Sequence, residues 1–167
     1  MNIVLIGMRG SGKTTVGKLL ARNFNMKFAD TDIMIEKKCS QKIASLIKRK
    51  GIEKFRKTES ETIKDIAGTK NTIIATGGGV IENKINMALL KTNGFVVYLK
   101  TSPPVLFERI GSDKRRPLLT GAGNMSADLK ALHKLRDPLY KKFADFVVFT
   151  DKLNVSQTVN KIIQNSI

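Results

Sequence analysis

The chain of 167 residues is 41% apolar, which suits one domain with a good-sized core and would cramp two. No apolar stretch approaches the ~20 residues of a membrane-spanning helix, and a single cysteine, Cys39, excludes an internal disulfide framework and fits a reducing cytoplasm. Thirty Lys and Arg against fourteen Asp and Glu give a net charge of +16, but the bases are dispersed without interleaved aromatic residues, which favours a solvated basic surface over a nucleic-acid face.

Ile3–Ile6 reads as a buried strand; the run around it is too short, and lacks the preceding bases, for a secretion signal. It leads into Gly7-Met8-Arg9-Gly10-Ser11-Gly12-Lys13-Thr14, which satisfies G-x-x-x-x-G-K-[ST]. The amphipathic spacing of Val16, Leu19, Leu20 and Phe24 then predicts a helix, so the pattern sits where it must, between a strand and a helix N-terminus. Its glycines let backbone N–H groups turn inward around phosphate oxygens, and the helix end adds partial positive charge. Lys13 would neutralise terminal phosphates and Thr14 would ligate magnesium, so a nucleoside triphosphate is the expected ligand.

A short second strand, Lys27–Ala29, runs into Asp30-Thr31-Asp32 at a helix start. One carboxylate could reach a magnesium shell and the other could accept a hydroxyl proton; a pair of helix-capping acids is the plain alternative. Cys39, beside Lys37 and Lys38, reads as a small half-buried side chain. Arg56, in Phe55-Arg56-Lys57-Thr58-Glu59, has the i,i+3 partner of an ordinary surface arginine. The third strand, Thr72–Ala75, ends in Thr76-Gly77-Gly78-Gly79, where many phosphate-transferring P-loop proteins carry an acid. Bare backbone there can approach a ligand that any Cβ would obstruct, and Asn83 caps the helix that follows.

Phe95–Leu99 is the fourth strand, and Ser102-Pro103 supplies a capping hydroxyl and a first-turn proline to the next helix. Gly111–Met125 combines three glycines, a proline and the bases Lys114-Arg115-Arg116; as a connector it is long, and it reads as an active-site lid. Leu129, Leu132 and Leu135 follow helical spacing up to Arg136 and a proline break. Phe146–Phe149 is the fifth strand, and Asn154 with Gln157 forms a capping box for a helix carrying Val155, Val159, Ile162 and Ile163. Strand and helix alternate throughout, and most strands lack the alternation of a half-exposed sheet. The expected fold is α/β, a three-layer α/β/α sandwich with a central five-stranded parallel sheet and a mobile lid.

Six motifs occur in order across residues 7–140: G-x-x-G-x-G-K-T, D-T-D, F-R-x-x-E, T-G-G-G, R-P-L-L and R-x-P-L-Y. Together they resemble the shikimate kinase family. The resemblance implies a single P-loop kinase domain over 1–167, a lid at about 111–125 and an acceptor-binding helical region at about 31–66. It implies transfer of the γ-phosphate of ATP to the 3-hydroxyl of shikimate, with Mg2+ as the metal. Gly10, Ser11, Gly12, Lys13, Thr14 and Thr15 would hold the phosphates, Thr14 would bind magnesium and Asp30 would support it through water, with Thr76 holding a further water. Asp32 would bind the acceptor hydroxyls and act as base, Arg56 and Arg136 would hold its carboxylate, and Gly78 and Gly79 would offer N–H groups. Arg109 would stack on adenine and Arg116 would close over the phosphates, making Lys13, Asp32 and Arg116 the catalytic set. A cytoplasmic monomer acting on a small molecule, without nucleic-acid or membrane partners, is implied.

Two other readings remain. A gluconate or nucleoside monophosphate kinase is disfavoured by the triple glycine together with D-T-D and F-R-x-x-E. A catalytically silent P-loop protein binding RNA is disfavoured by intact Lys13, Asp32 and Arg116.

Overall fold

The computed structural model describes residues 1–111 and 118–166. Five strands, β1 (Asn2–Ile6), β2 (Lys27–Asp30), β3 (Thr72–Ala75), β4 (Gly94–Lys100) and β5 (Phe146–Phe149), pair in parallel in the order β2-β3-β1-β4-β5. Helices α1 (Lys13–Phe24), α2 (Thr31–Cys39), α3 (Ile43–Ala67), α4 (Lys84–Thr92), α5 (Pro103–Ile110), α6 (Met125–Phe143) and α7 (Val155–Asn165) complete the described elements, with a 3-10 turn at Val80–Glu82.

The central strand shows why three layers form. All five residues of β1 are buried, so its side chains must find apolar partners on both faces. Ile3 and Leu5 pack with Val16 and Leu20 of α1 and Val159 and Ile162 of α7. Val4 and Ile6 point the other way, into Ile63 and Ile66 of α3, Met87 and Leu90 of α4, and Leu129 and Leu132 of α6. A smaller cluster, Ile35, Leu46 and Phe55, ties α2 to α3, and half-buried Cys39 packs against it as expected of a small apolar side chain. Gly51, at φ 81, breaks the helical dihedrals inside α3 and lets its two halves take different directions. Lys48, Arg49 and Lys50 are exposed, a solvated face.

Three local expectations are corrected. Pro138 does not end a helix: α6 runs through it to Phe143, because Pro138 and Lys134 both face solvent, where water can take the orphaned carbonyl. Leu135 is 66% exposed, so the buried stripe of α6 continues through Arg136 and Tyr140 instead. Ser102 holds the N-cap position of α5, but its hydroxyl makes no capping bond; its N–H donates to Asp151 Oδ1 at 2.9 Å. The capping box of Asn154 with Gln157 and the Asn83 cap both form.

Because every strand runs the same way, their C-terminal ends share one edge of the sheet. From there the chain leaves β1 beside both β3 and β4, the crevice in which open parallel sheets bind ligands.

Candidate active site

The loop after β1 turns through Gly7, Gly10 and Gly12, all at positive φ (147, 82 and 93°), before Lys13 opens α1. A Cβ on Gly7 would also stand 2.7 Å from the Leu99 carbonyl oxygen. Lys13 Nζ lies across this loop, donating to the carbonyls of Gly7 and Met8 at 2.8 Å each. Asp30 caps α2 and also meets Thr14. Its Oδ2 accepts the Thr14 hydroxyl at 2.7 Å, while Oδ1 caps α2 by accepting the N–H groups of Asp32 and Ile33. A hydroxyl and a carboxylate held together beside the phosphate loop suit Mg2+, which keeps several waters and takes few protein ligands. Among the described residues no cluster of three His, Cys, Asp or Glu could hold a metal by itself.

These groups line a cavity of about 720 Å³ that also reaches Ser11, Thr15, Asp32, Thr76, Gly78 and, at its far end, Arg109, Thr150 and Asn154. Arg109 is anchored to the end of β5, donating to the Thr150 carbonyl at 2.8 Å and to its hydroxyl at 3.3 Å. The Thr76 hydroxyl is turned into the sheet, donating to the Leu5 carbonyl at 3.0 Å.

A second cavity of about 540 Å³ adjoins the first, and Arg9, Asp32 and Gly78 border both. Burial, then the charge of Asp30, pushes the Asp32 carboxyl up to about 6 against the opposing pull of Lys13. Arg56 and Arg136 line this second cavity. Arg56 Nη1 donates to Glu59 Oε2 at 2.8 Å, and both arginines donate to Glu82. Glu59 is buried, its Oε1 has no hydrogen-bond partner among the described residues, and desolvation raises its pKa despite Arg56.

The three glycines owe their small size to two different needs. A Cβ on Gly77 would lie 2.7 Å from Asp32 Oδ1, and one on Gly79 would lie 2.5 Å from Arg56 Nη2. At Gly78 the closest atoms stand at 3.5 Å, an ordinary contact. So Gly77 and Gly79 make room for the side chains of the second cavity, whereas a Cβ on Gly78 would rest in ordinary contact with Arg9, Gly7 and Arg136. The Gly78 carbonyl accepts the buried Tyr140 hydroxyl at 2.5 Å, which fixes the strand tip. The N–H groups of Gly78 and Gly79 make no hydrogen bond within the described residues. Gly79→Ala is therefore expected to raise the acceptor KM about tenfold by displacing the Arg56 guanidinium, with Gly78→Ala folding normally. Steady-state kinetics and melting of both variants check this; equal kinetics for Gly79→Ala and the parent chain would refute the steric account.

Four contributors went unassigned in the sequence: Arg9, Glu82, Asp128 and Tyr140. Asp128 is fully buried and accepts from Arg9 Nη2 at 2.8 Å, from the N–H groups of Leu119 and Thr120 at 2.9 and 2.7 Å, and from the Thr120 hydroxyl at 2.7 Å. Tyr140 stood inside R-x-P-L-Y without a role, and Glu82 carried no local signal. Arg116 lies outside the described residues, as do the other two bases of the expected lid, Lys114 and Arg115.

A sequence model of the shikimate kinase family matches residues 9–166. The shikimate kinase of Dechloromonas aromatica is 42% identical over 163 residues, covering 98% of this chain and 88% of its own. A solved structure, shikimate kinase from Acinetobacter baumannii in complex with shikimate, superposes with a TM-score of 0.93 at 37% identity, covering 99% of this chain and 92% of that one. A gluconokinase from Sinorhizobium meliloti superposes with a TM-score of 0.59 at 16% identity over 98% of this chain and 89% of its own, a likeness of fold alone.

Proposed function

The chain belongs to the shikimate kinase family, and we propose that it transfers the γ-phosphoryl group of ATP to the 3-hydroxyl of shikimate, giving shikimate 3-phosphate and ADP. The observation that carries the reading is the convergence of Arg56 and Arg136 in a cavity that Asp32 shares with the cavity of the phosphate loop. Guanidinium forks match a planar carboxylate bidentately. An acceptor with a carboxylate at one end and a hydroxyl at the other spans that cavity toward the phosphates.

Asp32 takes the proton of the attacking hydroxyl as its oxygen bonds to the γ-phosphorus, and the bond to the β-phosphate oxygen breaks. Gly10, Ser11, Gly12, Lys13, Thr14 and Thr15 hold the phosphates, and Lys13 meets the charge left on the departing oxygen. Thr14, and Asp30 through water, would hold magnesium, which would supply neutralisation of the phosphate charge. Gly78 and Gly79 offer their free N–H groups to the acceptor. Arg109 gives the adenine a flat cationic surface, and the lid role stays with Arg116. The proposal takes residues 1–167 as one kinase domain whose described residues line both cavities, acting as a monomer on a small-molecule substrate without a nucleic-acid partner. A cytoplasmic location is part of the same proposal, and no helix among the described residues is long and apolar enough to cross a membrane.

ADP release with ATP and magnesium is expected with shikimate and not with gluconate, CMP or AMP offered separately. Release with one of the latter and none with shikimate would overturn the reading. Salt-sensitive RNA binding with no release in any mixture would favour the silent alternative instead.

A further inference from the structure

We propose that Glu82 is the positioning residue that binds the two acceptor-site arginines into one fork, and so sets the affinity for the acceptor carboxylate. Its carboxylate is shared between them. Oε1 accepts Arg136 Nε at 2.8 Å and lies 2.7 Å from its Nη2, while Oε2 accepts Arg56 Nη2 at 2.8 Å. Arg56 comes from α3 and Arg136 from α6, separated from Glu82 by 26 and 54 positions, and Glu82 is the group that spans the two.

The direction of approach separates support from competition. Glu82 does not line the acceptor cavity. It sits in a smaller neighbouring cleft with Arg56, Glu59, Ser60, Gly79 and Asn83. It therefore meets the guanidinium groups from the side of that cleft, while Glu59 holds Arg56 Nη1. A guanidinium presents five N–H donors in one plane, so fixing one edge aims the rest. Arg136 is held along its Nε–Nη2 edge, leaving Nη1, which lies near Gly78, directed to the acceptor side.

The support is itself rigid. Glu82 ends the 3-10 turn that follows the glycine run, and its N–H donates to the Gly79 carbonyl at 3.1 Å. The next residue, Asn83, caps α4 and donates to Ser60 Oγ of α3 at 3.3 Å. The turn that carries the acceptor wall thus also carries the brace for its arginines. Charge completes the case. Two arginines against Glu59 and Glu82 leave the fork formally neutral before the acceptor arrives, so recognition rests on directed hydrogen bonds more than on net attraction.

The proposal rests on the acceptor reading above, and one experiment separates the two. Wild-type protein is assayed for ADP release at varied shikimate and at varied ATP, then Glu82→Ala and Glu82→Gln under the same conditions. Glu82→Ala is expected to raise the shikimate KM about tenfold, the loss of one charge-assisted hydrogen-bonded support, with kcat within about twofold and the ATP KM unchanged. Glu82→Gln keeps an acceptor oxygen and is expected to restore most of that loss. Glu82 is partly exposed, so neither variant opens a core cavity, and melting curves check the fold. An unchanged or lowered shikimate KM in Glu82→Ala overturns the positioning role, and so does an equal rise in the ATP KM. Absence of shikimate turnover in the wild type overturns the acceptor reading and the Glu82 role with it.

Discussion

Asp32→Asn is expected to lower kcat by about 10²–10⁴-fold, the usual worth of a positioned general base, while the melting temperature stays close to that of the parent. The two side chains are nearly isosteric, so the cavities keep their shape, but an amide cannot take the acceptor proton. The plain alternative for this residue was a capping acid at the start of α2. The capping task belongs to Asp30, whose Oδ1 accepts the Asp32 N–H, and the Asp32 carboxylate is left to border both cavities. Its environment suits a base. Burial, then Asp30, lifts the carboxyl to about 6, so it is still mainly ionised at neutral pH yet holds a proton better than an exposed aspartate. In the ligand-free protein its charged fraction falls as pH drops through that value, and carboxyl titration by NMR checks this. Steady-state ADP release with melting curves checks the main effect. A variant with parental kcat would return Asp32 to the role of a helix-end acid.

How much of this site was readable depended on how local each residue's reason is. The phosphate loop was legible because backbone N–H groups do the binding, so glycines, Lys13 and Thr14 must stand at fixed spacing in the chain. Asp30 and Asp32 were visible as a pair, but their division of labour depends on β2 pairing with β3, which sets Asp30 opposite Ala75 and beside the turn to Thr76. The triple glycine was visible as a strand tip without side chains. Its cause was only partly so, since Gly77 and Gly79 yield space to Asp32 and Arg56, distant in sequence. Arg136 looked like the end of a helix because a proline follows closely. In the folded chain Pro138 faces solvent, and the helix carries Arg136 inward. Glu82 had no sequence signal because its partners become neighbours only when α3 and α6 are packed against the sheet.

Asp128 was hidden for another reason, since an acid in the first turn of α6 is ordinary on electrostatic grounds alone. Here it is fully buried and joins the phosphate loop to residues 119–120 through Arg9, Leu119 and Thr120. Asp128→Ala is expected to cost about 3 kcal/mol of stability, because removing one side of a buried charged network leaves its other groups to lose their partner. For a chain of this length that lowers the melting temperature by roughly 6–12 °C. The acceptor KM should rise as well, since Leu119 lines the acceptor cavity and Arg9 borders both cavities. The pH dependence has a definite sign. Burial alone raises the Asp128 pKa, but the Thr120 hydroxyl, the N–H groups of Thr120 and Leu119, and the Arg9 charge together carry it below its ordinary value. A carboxylate with a depressed folded pKa contributes fully above its unfolded value of ~3.9 and loses that contribution as pH falls through the folded value. Urea unfolding of parent and variant at pH 7 and pH 3 should therefore show the larger gap at pH 7. A gap that stays constant or widens in acid would mean that packing, and not the ionised carboxylate, is what Asp128 supplies. The Asn variant then separates the two contributions, since it keeps the volume and one acceptor oxygen while giving up the charge that holds Arg9.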